Sequence, residues 1–292
     1  MRTPLTQSST LEHVTSSSPT RASSLTRAIV FLWLQVRACI FAGAVFATLA
    51  LSHVTTLGLP RYDFIFAVLI VVQASMYLTR LETSEEIKFI TIFHLVGFVL
   101  EQFKTHVGSW AYPEFAYTKI ADVPLYSGFM YAAVGSYIAQ SWRLYGLSLE
   151  HPPRAIWGWG LAALIYVNFF SNHVLPDVRY ALMAAVIALY WRSSLVYTVL
   201  AKSYRVPLVV FFALAGGLIW IAENLATFLG AWVYPNQQGG WRIVDFSKIS
   251  SWMLLVIISF ILVQHLKAQS LNKRGSRSLD ASSSGGPDPR LE

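Results

Sequence analysis

Apolar stretches of roughly 18 residues or more recur along this chain, and no other feature restricts its fold more. Each is long enough to cross a hydrocarbon core about 30 Å thick at about 1.5 Å of helical rise per residue. The candidate spans are 38–57, 63–79, 88–107, 124–142, 155–172, 178–200, 207–230 and 249–266. The expected fold is therefore all-α: a polytopic membrane bundle of about eight transmembrane helices. The sixth span is the weakest, because Arg179 and Arg192 bracket only a short apolar run; it crosses only if Arg192 snorkels or faces protein. Composition agrees, with 55% hydrophobic and 13% charged residues, against about a quarter charged in ordinary soluble domains.

The net charge of +7 would suggest nucleic acid in a soluble protein, yet most of it sits at the ends of spans. With the N-terminus inside, fifteen Lys and Arg fall on the inner side, against five outside: Arg61, Lys119, Arg179, Arg242 and Lys248. That asymmetry is the one expected of cytoplasmic loops, so both termini are placed in the cytoplasm, in a cell inner membrane, with no nucleic-acid partner. Residues 1–27, rich in Ser and Thr, and 269–292, rich in Ser and Gly, read as disordered cytoplasmic tails flanking a transmembrane domain over 28–268. A signal peptide is not expected, because a long polar stretch precedes the first apolar run. The single cysteine, Cys39, permits no intrachain disulfide and reads as a small packing residue.

An internal repeat carries the most information. The segment from Glu101 to Pro113 matches that from Glu223 to Pro235 at a constant offset of 122, sharing Glu, Thr, Gly, Trp, Tyr and Pro, six identities in thirteen positions. Two four-helix halves, about 28–145 and 150–268, account for it as a parallel repeat about an axis along the membrane normal. If the sixth span failed to cross, the repeat would instead be inverted.

Within each copy, Glu, Thr and Gly stand at i, i+4 and i+7 and share one helix face. Glu101 and Glu223 lie about two turns from the outer ends of their spans, where a bare carboxylate is costly, so a hydrogen-bonding partner or a retained proton is expected. They are the candidate proton donor and acceptor. Thr105, Trp110, Tyr112, Asn168, Asn172, His173, Asn224, Thr227, Trp232 and Tyr234 are the candidate substrate-binding residues around them. The bland alternative makes the glycines helix stops, the aromatics an interfacial belt and the glutamates interhelical hydrogen bonds. His94, seven residues before Glu101, extends the same stripe. His53, His106 and His173 lack metal-ligand spacing, so neither metal nor cofactor is expected.

The string Glu101, Gly108-Ser109-Trp110-Ala111-Tyr112-Pro113, Val123-Pro124-Leu125-Tyr126-Ser127-Gly128-Phe129-Met130, with Lys248-Ile249-Ser250-Ser251-Trp252, resembles a bacterial family of multi-pass membrane proteins. It is the domain of unknown function number eight hundred and seventeen. The resemblance covers nearly all of 28–268; it implies a membrane location and supplies no activity. In outline the chain is also similar to membrane carotenoid cyclases and hydratases, which protonate a polyene from a buried acid. The cyclases carry paired glutamates after the proline, where this chain has Leu125 and Tyr126.

Two functions are in competition. A proton-coupled or small-solute transporter would use Glu101 and Glu223 as intramembrane proton sites and needs a polar path to the cytoplasm. A membrane-embedded acid-base enzyme acting on an isoprenoid or carotenoid-like lipid needs an apolar cavity holding both carboxylates. The partners are accordingly membrane lipid and a hydrophobic small molecule or proton.

Overall fold

In a computed structural model, which describes residues 22–283 with side chains described through His265, the chain is mostly helical. The helices are α1 (Ser24–Ala38), α2 (Ile40–Leu51), α3 (Arg61–Leu78), α4 (Ser84–His106), α5 (Ser127–Leu144), α6 (Ala155–Ser171), α7 (Arg179–Tyr190), α8 (Leu208–Phe228) and α9 (Lys248–Ser283). The helix starts have local causes. Thr83 and Glu86 form a capping box at α4. Pro60 and Pro207 stand immediately before α3 and α8, where a missing N–H costs nothing.

Three helices among the described residues are long and apolar enough to cross a membrane: Arg61–Leu78, Leu208–Phe228 and Lys248–His265. The pair α1–α2, bent by 58° at Cys39, makes a fourth if it counts as one broken span. On α8, Leu214, Leu218, Ile221, Leu225 and Phe228 recur at helical spacing and are between 44% and 64% exposed, an outward apolar face on which Phe228 meets the Trp241 ring.

Several expectations need correction. The first helix begins at Ser24, inside the stretch read as tail, because Ser23 caps it and Leu25, Ile29, Leu32 and Val36 continue one apolar stripe. Residues 1–21 and 284–292 of the expected tails lie outside the described residues, while α9 continues to Ser283 through the stretch read as a tail from 269. Cys39 is exposed at the bend instead of packed. Nor is the chain wholly helical.

The expected span 178–200 is a 12-residue helix, α7, followed by an antiparallel hairpin of β4 (Ser194–Val199) and β5 (Lys202–Pro207). Alternating β-branched and aromatic residues, Val196, Tyr197, Thr198 and Val199, favour this strand over continued helix. The strand β3 (Ser148–Glu150) pairs on its other edge, and β1 (Lys119–Ile120) pairs with β2 (Val123–Pro124) in a separate ribbon.

The helices run between two ends of the molecule. At one, hereafter the motif end, α4 and α8 finish and α5 and α9 begin: Lys248 at the start of α9 lies over Trp110, which follows α4. At the other lies the three-stranded sheet, against α1 and the end of α5, where the Thr198 N–H donates to Tyr145 O and the Tyr145 hydroxyl to Phe31 O. Short as it is, α7 leads from Arg179, bonded to Ser251 of α9, to Ser193 beside the sheet. One core gathers Phe41, Leu49, Tyr62, Ile65 and Tyr126 from α2 to α5 together with Trp232 and Tyr234. A second gathers Ile165, Val186, Phe212, Ile257 and Phe260 from α6 to α9.

Candidate functional site

The last turns of α4 and α8 are built alike. After the C-caps Val107 and Leu229, Gly108 and Gly230 take φ of +73° and +66°, the left-handed conformation that glycine adopts without strain. Ser109 N–H then donates to Lys104 O and Gly108 N–H to Thr105 O; Ala231 N–H donates to Ala226 O and Gly230 N–H to Thr227 O. These are paired Schellman motifs, and each turns the chain back along its own helix. The returning strands meet in an isolated antiparallel bridge between Ala111 and Val233.

That reversal brings aromatic donors onto the two glutamates, each only 3% exposed. Glu101 accepts from Trp110 Nε1, Tyr112 Oη and Tyr131 Oη, each at 2.7 Å. Glu223 accepts from Trp252 Nε1 at 2.5 Å and from the Tyr234 hydroxyl. All five donors are neutral, so each carboxyl group is solvated without a salt bridge. Burial, reinforced by the Glu101 and Glu223 charges, pushes Tyr112 and Tyr234 well above the ordinary phenol value and keeps them protonated donors. Gly97, one turn before Glu101, makes room for this network, because a Cβ there would overlap the Tyr131 ring.

Both carboxyl groups line one cavity of about 560 Å³, within the roughly 300–1,000 Å³ common for small-molecule sites. Its walls are apolar, with Val45 and Phe46 of α2 and Leu218 and Ala222 of α8 among them, and it reaches Tyr145 and Tyr197 near the sheet. At the motif end, Lys248 Nζ stands 5.8 Å from the Trp110 ring centre and 4.8 Å from that of Tyr234. Such cation–π placement is favourable where water is scarce.

The other sequence candidates separate. Trp110, Trp232 and Tyr234 line the cavity, whereas Tyr112 touches Glu101 from outside it. Thr105 and Thr227 do not bond the carboxyl groups: Thr227 Oγ1 donates to the Glu223 carbonyl and accepts from Trp241. Asn168 and Asn224 act as loop ties, the first bonding Asp177 and the Val178 N–H, the second Trp220 O and the Val244 N–H. Asn172 and His173 bond Lys104 instead. His94 packs edge-on against Phe129.

No group of three or more His, Cys, Asp or Glu side chains that could hold a metal occurs among the described residues. Sequence reasoning missed Tyr131 and Lys248 and did not single out Trp252 as a donor. Their signal is weak: an aromatic with a polar edge in the first two turns of the helix after each Tyr-Pro, and a lysine at the head of α9.

Among solved structures, a cross-linked MvINS trimer resembles this chain with a TM-score of 0.43 at 16% identity, over 64% of this chain and 96% of that one. Among curated proteins, "Uncharacterized protein YoaT" of Bacillus subtilis (strain 168) is 48% identical over 238 residues, covering 81% of this chain and 90% of that protein. The description of that curated protein names no activity, so it adds nothing to the outline likeness to carotenoid enzymes. The family model described as "Protein of unknown function (DUF817)" matches residues 27–260, and the chain belongs to that family.

Proposed function

We propose that this is a multi-pass inner-membrane protein whose twin glutamates carry out acid-base chemistry on an isoprenoid or similar apolar lipid. With α1 and α2 taken as one broken span, eight helical units alternate between the two ends of the molecule. Both termini then fall on the side rich in Lys and Arg, the cytoplasm, and the motif end faces outward. The matched helix ends at Gly108 and Gly230, and the bridge between residues 122 apart, support two repeated halves in parallel orientation, about 28–145 and 150–268.

The observation that carries the reading is that one apolar cavity is lined by both buried carboxyl groups. A protonated glutamic acid delivers its proton to an alkene carbon, leaving a carboxylate and a carbocation on the lipid. The second glutamate removes a proton from a neighbouring carbon, restoring a double bond elsewhere. The sum is an isomerisation or ring closure that consumes no cofactor, and the proton returns between the two acids through the intervening phenols. Glu101 and Glu223 line the same cavity, as such an exchange requires.

Proton-coupled transport through the same pair needs a polar route to the inner side, and the apolar wall along α8 favours the lipid reading instead. The test compares the lipids and small metabolites of cells carrying the native chain with those carrying Glu101→Gln together with Glu223→Gln. The expected result is accumulation of one apolar precursor and loss of its isomer. Unchanged pigments, quinones and polyprenols would overturn the enzyme, and a change in solute uptake in their place would establish transport.

A further inference from the structure

We infer that Lys104, Lys248 and Arg179 form a head-group site at the motif end of the cavity, for an amphiphile with a phosphate-type head and an apolar chain. The inference rests on the lipid reading of the cavity and adds the chemistry of the ligand's head.

Lys104 is only 6% exposed, and its ammonium meets only neutral acceptors, His173 Nε2 at 3.0 Å and Asn172 Oδ1 at 3.4 Å. The Phe103 and Phe169 rings lie 5.9 and 5.8 Å from it. Lys248 faces two aromatic rings. Among the described residues neither ammonium has a carboxylate within ion-pair distance. The surrounding acids are engaged elsewhere: Asp177 by Arg179 and Asn168, Asp245 by Ser247, and Glu223 by Tyr234 and Trp252.

Lys104, Lys248 and Arg179 are nevertheless close enough to repel one another, with Asp177 attracting Lys104 and with Glu223 and Asp245 attracting Lys248 from beyond ion-pair distance. Burial, with the charges of both lysines, holds His173 below the ordinary imidazole value, so it stays a neutral acceptor for Lys104. Burying two ammonium groups that have no carboxylate within ion-pair distance is costly, and an anion between them reverses that cost.

Position identifies the anion's source. Lys104 stands one helical turn beyond Glu101, and Lys248 covers Trp110 and Tyr234, both of which line the cavity. A head held there sends its chain down the apolar walls, past the two carboxyl groups. Two ammonium groups without carboxylate partners, beside the Asp177-paired guanidinium of Arg179, suit a group of nearly two negative charges with several acceptor oxygens, as in a phosphate monoester, better than a single carboxylate.

The test uses full-length protein in nanodiscs of zwitterionic lipid, with three probes: dodecyl phosphate, dodecanol and inorganic phosphate. Dodecyl phosphate is expected to bind tighter than dodecanol by about tenfold or more, the value of a charge-assisted hydrogen bond. Lys104→Gln and Lys248→Gln should abolish that difference while leaving dodecanol binding intact, which also shows that the variants fold. Equal binding of the two amphiphiles, or a difference that survives in both variants, overturns the head-group site and leaves the apolar cavity standing. Inorganic phosphate binding as tightly as dodecyl phosphate would make the ligand a free anion and overturn the amphiphile. Failure of both amphiphiles to bind removes the lipid reading as well.

Discussion

Ala111 and Val233 exchange both backbone hydrogen bonds, each at 2.9 Å, although 122 residues separate them. Residues paired in this way have Cα atoms about 5.5 Å apart, inside the range a disulfide spans. Ala111→Cys with Val233→Cys, in a Cys39→Ser background, should cross-link within one chain on mild oxidation. Peptide mapping would find the linked pair; a folded double variant that never forms it would contradict the bridge.

The contact between Gly97 and Tyr131 separates a packing requirement from simple helix propensity. Gly97→Ala forces a methyl into the Tyr131 ring and should destabilise by about 1–3 kcal/mol, as overpacking does. Gly217→Ala, on α8 with nothing within 4 Å of the added carbon, should be neutral or stabilising by up to about 1 kcal/mol. Thermal unfolding of both variants checks the contrast, and equal losses would contradict it.

Arg61 reaches from α3 to the exposed end of another helix. It donates to Leu229 O and Gly230 O, the cap carbonyls just past α8, and also meets Glu114 and Ser52. Arg61→Lys keeps the charge but loses the planar fork, and should cost about 2 kcal/mol or more. Denaturant unfolding would measure the loss; a variant within experimental error of the parent would show that the cap contributes nothing.

Glu82, in the turn between α3 and α4, is 2% exposed and accepts from Ser136, Gln73 and Gln140. Burial raises its pKa above the ordinary 4.5, more than these donors lower it. A carboxyl group raised on folding contributes stability that is full below its unfolded value and is lost as pH rises through the folded one. Melting temperature relative to Glu82→Gln should therefore fall as pH climbs from about 4.5. A flat difference across that range would contradict it.

Much of the helical frame was legible in the sequence. Expected spans 63–79 and 207–230 correspond to Arg61–Leu78 and Leu208–Phe228, because long apolar runs bounded by proline or glycine leave little freedom. The hairpin after α7 was not, because its two-residue turn holds Leu200 and Ala201 at φ of +46° and +61°. Asn-Gly is the usual signal for that geometry, and apolar residues there read as continued helix. Glu101 and Glu223 stood out as a repeated pair. Tyr131 did not, since it arrives from the next helix after a long loop, and no sequence spacing encodes a contact made by tertiary packing. Nor does the sequence show that Lys104, three residues after Glu101, bonds Asn172 and His173 at the end of α6.

The chain is laced at both extremities. Beyond the Ala111–Val233 pair and the Arg61 cap, the Tyr126 hydroxyl holds Ala231 O at the motif end, and the pairing of β3 with β4 closes the sheet end. Opening the motif end would break these contacts. The cavity opens sideways, beside α2 and α8, where Leu214 and Leu218 line it and are also 62% and 64% exposed. A guest entering there would meet an apolar wall before either carboxyl group, which favours water-insoluble molecules over polar ones.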